Sequence, residues 1–133
     1  MKFILYFFSL LLLSACTDPK GPHNQEVNTE TEAYIKIKDS KIFYKSGGPE
    51  DGETTILIHG GYLNHQLWDA QVAPLIAHNF RVIRYDEIGH GKTKKGAQEI
   101  YGYEIIEGLR PQTSEKINLI GLSWGAMIAV DYA

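Results

Sequence analysis

Hydrophobic and polar positions change their spacing along the chain, and each change predicts a different structural element. Residues 34–38 alternate apolar with charged side chains, Asp39-Ser40 can form a turn, and the mainly apolar segment 41–45 (KIFYK) follows, which predicts an antiparallel hairpin with one buried face. Three short, mostly apolar runs rich in β-branched residues predict further strands, at 54–58 (TTILI), 80–85 (FRVIRY) and 116–120 (KINLI). We expect all three runs to be buried in the sheet.

Between these strands the apolar residues recur mostly at helical spacing. We expect helices at 66–78, at 98–109 and from residue 125 onwards, with glycine-containing loops between them. Strands that alternate with helices after an opening hairpin indicate an α/β fold, with a mainly parallel sheet centre and helices on both faces. Residues 33–133 suffice for one modest domain of this kind.

The first 32 residues have a different composition from the rest. Residues 1–15 combine Lys2 with an apolar run and small residues, which predicts a secretory signal peptide. A helix over 3–15 would be about 20 Å long, shorter than the hydrocarbon core of a bilayer, so a membrane-spanning helix is the weaker interpretation. Residues 16–32 are mostly polar and include prolines, which predicts a flexible linker.

The end of the predicted signal peptide, Leu13-Ser14-Ala15-Cys16, resembles the lipobox of bacterial lipoproteins. The resemblance implies that Cys16 is lipidated and that the protein is exported and anchored to a membrane of the bacterial cell envelope. The acyl chains would hold the protein by burying their CH₂ groups in the bilayer. An ordinary signal peptide followed by an incidental cysteine is the alternative.

Charge and cysteine content exclude several classes of function. Lysine and arginine number 13 against 16 acidic residues, so the net charge of −3 gives no basic footprint for nucleic-acid binding. Cys16 is the single cysteine, which excludes an intrachain disulfide and a cysteine-built metal site. Gly91-Lys92-Thr93 mimics the end of a P-loop, but Asp86 stands where the first glycine of that motif belongs. We expect no cofactor and no metal.

The segment Gly121-Leu122-Ser123-Trp124-Gly125 matches G-x-S-x-G between a predicted strand and a predicted helix. A nucleophile in this motif lies on a strained strand-to-helix turn, and the flanking glycines avoid a clash with neighbouring backbone. A serine in a tight turn that merely starts a helix is the structural alternative. The catalytic interpretation is favoured because a second predicted strand ends in His59-Gly60-Gly61, a loop able to donate an N–H to an oxyanion.

Four ordered motifs together resemble the α/β-hydrolase superfamily, and the likeness covers most of residues 34–133. The motifs are His59-Gly60-Gly61, similar to the oxyanion loop; Trp68 with Gln71 and Leu75, similar to the first helix; RVIRYD at 81–86 with Gly89-His90-Gly91, similar to the fourth strand and its turn; and Gly121 to Gly125, similar to the nucleophile elbow.

The resemblance implies a serine hydrolase that acts on a small-molecule acyl substrate, such as an ester or an amide. Ser123 would be the nucleophile, and the backbone N–H groups of Gly61 and Trp124 would form the oxyanion hole. Tyr62 is the substitute donor for Gly61. A serine nucleophile, where some branches use aspartate, disfavours dehalogenation and epoxide opening.

In this family the catalytic acid and histidine follow the nucleophile along the chain. Residues 126–133 contain no histidine, and their single acid, Asp131, lies on the predicted elbow helix. Upstream, His59 would be structural, while we interpret His65 and His78 as helix-surface residues and His90 as a loop residue.

We therefore expect the chain to be the N-terminal half of a longer hydrolase, truncated after the elbow. It should be nearly inert alone, because a serine hydroxyl without a base is a weak nucleophile. The alternative is a non-catalytic lipoprotein remnant or a binding module that retains the first half of the fold.

Overall fold

The computed structural model describes residues 30–111 and 116–133. The predicted signal peptide at 1–15, Cys16 and most of the predicted linker lie outside these ranges, so their assignments stay predictions. The first strand begins at Thr31, two residues inside the range predicted as linker. No helix within the described ranges is long and apolar enough to cross a membrane.

The described residues form a five-stranded mixed sheet with the order β1-β2-β4-β3-β5. The strands are β1 (Thr31–Ile37), β2 (Ser40–Gly47), β3 (Glu53–Ile58), β4 (Phe80–Tyr85) and β5 (Asn118–Gly121). β2 pairs antiparallel with both β1 and β4, whereas β3 lies parallel between β4 and β5. The predicted α/β fold, with its antiparallel opening hairpin and parallel centre, is therefore confirmed.

The helices of the described ranges are α1 (Asp69–Ala77), α2 (Gly102–Leu109) and α3 (Trp124–Tyr132). The helix predicted at 66–78 is split, because a 3₁₀ turn at His65–Trp68 precedes α1 and is capped by the side chain of Asn64. The helix predicted at 98–109 begins only at Gly102. There the Glu104 carboxylate accepts the N–H of Tyr101 at 3.0 Å and closes the helix start.

Strands β3 and β4 are covered on both faces, which explains their nearly continuous apolar runs. Successive side chains point alternately into two cores, a larger one toward α2 and α3 and a smaller one toward α1. The larger core includes Ile56, Ile58, Ile83, Ile105, Ile106 and Ile128. The smaller core consists of Leu57, Val72 and Val82, with partly buried neighbours around them. Helices thus pack on both faces of the sheet, as predicted.

Two details of the predicted strands are wrong. The hairpin turn is formed by Lys38 and Asp39, not by Asp39 and Ser40, because Ile37 pairs directly with Ser40. Lys38 has a φ of 52°, the left-handed conformation that two-residue hairpin turns need. The strand predicted as buried at 116–120 is β5, which lies at the edge of the described sheet and leaves Ile120 40% exposed.

Two glycines allow α3 to approach the sheet closely. A Cβ on Gly121 would overlap the carbonyl oxygen of Gly125, and a Cβ on Gly125 would overlap the carbonyl oxygen of Ile58. Both obstacles are backbone atoms, which cannot rotate away as a side chain can. The first turn of α3 therefore sits on the end of β3 only if neither position carries a side chain.

We predict that Gly121→Ala and Gly125→Ala each lower the free energy of unfolding by roughly 2–4 kcal/mol, since the new methyl group must displace backbone. Urea unfolding of the variants measures this loss. Gly61→Ala is the matched control, because a Cβ there contacts nothing within 4 Å. It should change the free energy by less than about 0.5 kcal/mol. Equal losses in all three variants would contradict this account of the packing.

Candidate active site

Ser123 lies exposed on a sharp turn between β5 and α3. Its dihedral angles are φ 52° and ψ −113°, a conformation that costs a non-glycine residue about 1–3 kcal/mol. On the strand side, the N–H of Leu122 donates to the carbonyl oxygen of Ile58 at 3.1 Å. On the helix side, the N–H groups of Ala126 and Met127 donate to the carbonyl oxygen of Ser123 at 3.0 and 3.2 Å. The strained turn is therefore fixed from both ends.

The loop that follows β3, here called the β3 loop (59–63), lies directly beside this turn. A Cβ on Gly60 would lie 3.6 Å from the Cβ of Ser123 and 3.2 Å from the carbonyl oxygen of Leu122. The N–H of Leu63 donates to the carbonyl oxygen of Gly60 at 3.3 Å and closes the loop into a turn. The fold thus brings the sequence-predicted oxyanion loop next to the sequence-predicted nucleophile.

Gly61 and Trp124 each present a backbone N–H that has no hydrogen-bond acceptor among residues 30–111 and 116–133. Trp124 opens α3, where N–H groups lack partners within the helix and the helix dipole favours negative charge. The N–H of Tyr62, the predicted substitute donor, is instead engaged, since it donates to Nε2 of His90 at 3.3 Å. The two free N–H groups therefore belong to Gly61 and Trp124, and the substitute donor Tyr62 is occupied.

His59 links the β3 loop to the loop that follows β4, here called the β4 loop (86–95). Its buried ring donates from Nδ1 to the carbonyl oxygen of Gly60 at 2.7 Å and accepts the N–H of Glu87 at Nε2, at 3.0 Å. Burial lowers the pKa of His59, outweighing the opposing effect of the Gly60 bond. With both nitrogens bound to backbone, the ring joins two loops, as the structural role implied by the resemblance requires.

The interpretation of His65 as a helix-surface residue is wrong. His65 is buried, and both its backbone N–H and its Nδ1 contact Oδ1 of Asp86, at 2.7 and 2.8 Å. The second oxygen of this fully buried carboxylate accepts the N–H of Lys92 at 2.8 Å. The sequence does place Asp86 directly after a predicted buried strand, which is a signal for a polar site. It does not identify His65 as the partner, because the two residues lie 21 positions apart. His78, by contrast, is exposed as predicted.

A second buried acid lies beside His59. Glu87 is 6% exposed, and the hydroxyl of Tyr85 donates to its Oε1 at 2.5 Å. Burial raises the pKa of Glu87, and the hydrogen bonds from Tyr85 and from the N–H of Ile88 offset this effect only in part. Glu87 is a buried residue that the sequence did not predict, because nothing in the local pattern around it indicates burial.

Within the described part of the chain, the Oγ of Ser123 has no hydrogen-bond partner, and the histidine side chains bind other groups. The arrangement can supply an exposed hydroxyl and two N–H donors that would stabilise an oxyanion. It does not supply a base at the hydroxyl.

A family model for the alpha/beta hydrolase fold matches residues 55–133, more than half of the chain. The chain belongs to the α/β-hydrolase family. Its sheet order, its strained strand-to-helix turn and the adjacent β3 loop are the structural features of this hydrolase fold that the described residues contain.

Curated relatives agree with this assignment, and a solved structure shares the fold. The chain is 39% identical over 61 residues to a non-heme chloroperoxidase of Burkholderia pyrrocinia, and equally to a bifunctional esterase/perhydrolase of Acinetobacter calcoaceticus. Each match covers 45% of this chain and 22% of the relative, so the chain spans about a fifth of the length of these relatives. Epoxide hydrolase A of Mycobacterium thermoresistibile shares the fold, with a TM-score of 0.71 at 20% identity over 78% of this chain and 34% of that one.

We predict that Glu87→Gln increases the free energy of unfolding near neutral pH and that the increase disappears in acid. Because the folded-state pKa of Glu87 is raised, its contribution to stability is complete below the unfolded-state pKa and is lost as pH rises through the folded-state pKa. A glutamine stays neutral and can still accept the bond from Tyr85. Urea unfolding at a series of pH values measures the difference. An equal increase in Glu50→Gln, at an exposed position, would contradict this explanation.

Proposed function

We propose that this chain carries the nucleophile and the oxyanion hole of a serine hydrolase that acts on an ester, amide or related acyl bond of a small molecule. One observation carries the proposal: Ser123 is exposed in a strained conformation, beside a loop that holds the free N–H of Gly61, and it is followed directly by the free N–H of Trp124.

In the proposed reaction, Oγ of Ser123 attacks the carbonyl carbon of the substrate and loses its proton to a base. The electron pair of the C=O bond moves onto oxygen, and the N–H groups of Gly61 and Trp124 donate to that oxyanion. Such donors lower the barrier by roughly 3–4 kcal/mol each. Collapse of the tetrahedral intermediate expels the leaving group and gives an acyl-serine, which water hydrolyses.

The base is proposed to be a histidine oriented by an acid, both located after Ser123 in a longer product. The support is the family order of nucleophile, acid and histidine, together with the absence of any hydrogen-bond partner for Oγ among the described residues. Without that base the hydroxyl is a weak nucleophile. We therefore propose that residues 1–133 alone are nearly inert.

Exposed apolar side chains around the turn favour a substrate with an apolar acyl group. They belong to Tyr62, Leu63, Leu122 and Trp124. Cδ1 of Leu63 and Cβ of Ser123 both lie 3.6 Å from the position that a Cβ of Gly60 would occupy. An acyl chain bound at Ser123 would cover part of this apolar surface and gain free energy by doing so. The esterase activity named for the Acinetobacter relative agrees with this substrate class.

We also propose that the mature protein is a bacterial lipoprotein, exported and anchored to a cell-envelope membrane through Cys16, with residues 16–29, ahead of β1, as a flexible tether. The support is the lipobox-like segment that ends at Cys16 and the polar composition that follows.

Replacing the serine by cysteine tests the site without the missing base, because a thiol is partly ionised near neutral pH and intrinsically nucleophilic. We predict that the thiol introduced by Ser123→Cys is acylated by p-nitrophenyl acetate on the order of 100-fold faster than a reference thiol introduced at an exposed loop position of the same chain by Glu50→Cys, since it lies beside two free N–H groups. Mass spectrometry of the peptides measures acylation at each thiol.

Two variants at Gly61 provide the matched control in the Ser123→Cys chain. Gly61→Pro removes the N–H donor, whereas Gly61→Ala keeps it and places its Cβ in open space. The proline variant should react on the order of 100-fold more slowly than the alanine variant. If the thiols at positions 123 and 50 react at the same rate, the chain is better described as a non-catalytic lipoprotein remnant or binding module.

The anchor is tested separately. We predict that Cys16→Ser, expressed in a bacterial host, moves the protein from the membrane fraction to the soluble fraction, since each buried acyl CH₂ contributes about 0.8 kcal/mol to binding. Cell fractionation and labelling with a fatty-acid analogue measure this change. Thr17→Ser leaves Cys16 in place and is the control. Membrane retention of Cys16→Ser without any lipid label would show that the apolar N-terminus itself holds the protein.

A further inference from the structure

The part of the β3 loop that carries Gly61 is held by little side-chain packing. Gly61 has no side chain, and a Cβ there would contact nothing within 4 Å. Tyr62 has a φ of 64°, a strained value for a tyrosine, and its side chain is fully exposed. Side-chain packing therefore does not fix this backbone, and polar contacts do: within the loop, the N–H of Leu63 donates to the carbonyl oxygen of Gly60 at 3.3 Å.

The contact from outside the loop comes from His90 in the β4 loop. Its Nδ1 lies 3.0 Å from the carbonyl oxygen of Ile88, and because a carbonyl only accepts, Nδ1 carries the proton. The Nε2 atom of the neutral ring consequently presents its lone pair and accepts the N–H of Tyr62 at 3.3 Å. The two nitrogens thus have fixed and opposite roles.

His90 is itself held in place on two sides. Its backbone N–H donates to the carbonyl oxygen of Glu87 at 3.0 Å. Its ring lies 5.1 Å from the ring of His59, whose nitrogens bind the carbonyl of Gly60 and the N–H of Glu87. The β4 loop therefore offers the β3 loop a well-defined support.

We propose that His90 is a positioning residue for the oxyanion hole. By accepting the N–H of Tyr62, it fixes the peptide group that follows Gly61 and leaves the N–H of Gly61 as the free donor. It acts through Tyr62 and touches no substrate. The role in catalysis rests on the proposed function, whereas the contact between the two loops does not.

Two substitutions separate the roles of the ring nitrogens in the full chain carrying Ser123→Cys. His90→Asn keeps an N–H near the position of Nδ1 but has no acceptor near Tyr62, whereas His90→Gln places an oxygen near the position of Nε2. His90→Asn should speed hydrogen exchange at the Tyr62 amide and slow acylation by p-nitrophenyl acetate, each by about two- to tenfold, the effect of one neutral hydrogen bond. In His90→Gln, the rate of hydrogen exchange at the Tyr62 amide and the rate of acylation should both return most of the way to the values of the parent. NMR and peptide mass spectrometry are the measurements.

His78→Asn is the control, because the ring of this exposed histidine hydrogen-bonds the carbonyl oxygen of Pro74 on α1 and lies outside both loops; it should match the parent. The proposal is overturned if His90→Asn leaves Tyr62 exchange unchanged, or if His90→Asn and His90→Gln slow acylation equally. If the thiol at position 123 of the parent reacts no faster than the reference thiol at position 50, the proposed function fails. In that case, faster hydrogen exchange at the Tyr62 amide in His90→Asn but not in His90→Gln would still support the contact between the loops.

Discussion

The geometry of the site depends on the close approach of α3 to the end of β3. Gly125 packs against the carbonyl group of Ile58, and the same carbonyl oxygen accepts the N–H of Leu122. The chain must therefore reverse direction between Leu122 and Gly125, and the strained conformation of Ser123 follows from that requirement. Because β3 runs directly into the β3 loop, this one contact also sets the distance between Ser123 and Gly61.

Buried polar groups hold the surrounding loops, and their cost is offset only because each is paired. Arg84, 4% exposed, donates to both carboxylate oxygens of Glu30 at 2.9 and 2.6 Å and also binds Asp69. The same guanidinium donates to the carbonyl oxygen of His65 at 3.0 Å, while the ring of His65 binds Asp86. Arg84 near the end of β4 and Asp86 directly after it therefore together fix the chain that leads from the β3 loop into α1.

The local pattern of apolar, polar and glycine residues was enough to predict the approximate positions of the strands, the fold class and the turn at Ser123, because each of these depends on residues close in sequence. The burial of His65 depends on its contact with Asp86, and helical periodicity around His65 contains no information about a partner in the distant β4 loop. The exposure of β5 depends on strand order, which an apolar run does not encode. Likewise, the choice between Gly61 and Tyr62 as free donor depends on a contact from the β4 loop. Predictions were wrong or incomplete where distant segments decide the outcome.

The strain at Ser123 bears on the choice between an enzyme and a binding module. A glycine at position 123 would adopt φ 52° without penalty, whereas serine costs about 1–3 kcal/mol there. A protein that needed only a tight turn into α3 would gain stability from glycine at that position. The hydroxyl makes no compensating hydrogen bond to any described residue, so it stabilises nothing in this part of the fold. A strained, exposed hydroxyl with free N–H groups beside it is the arrangement that the proposed attack on a carbonyl carbon would use once a base is present, so the turn fits the proposed hydrolase better than a binding module.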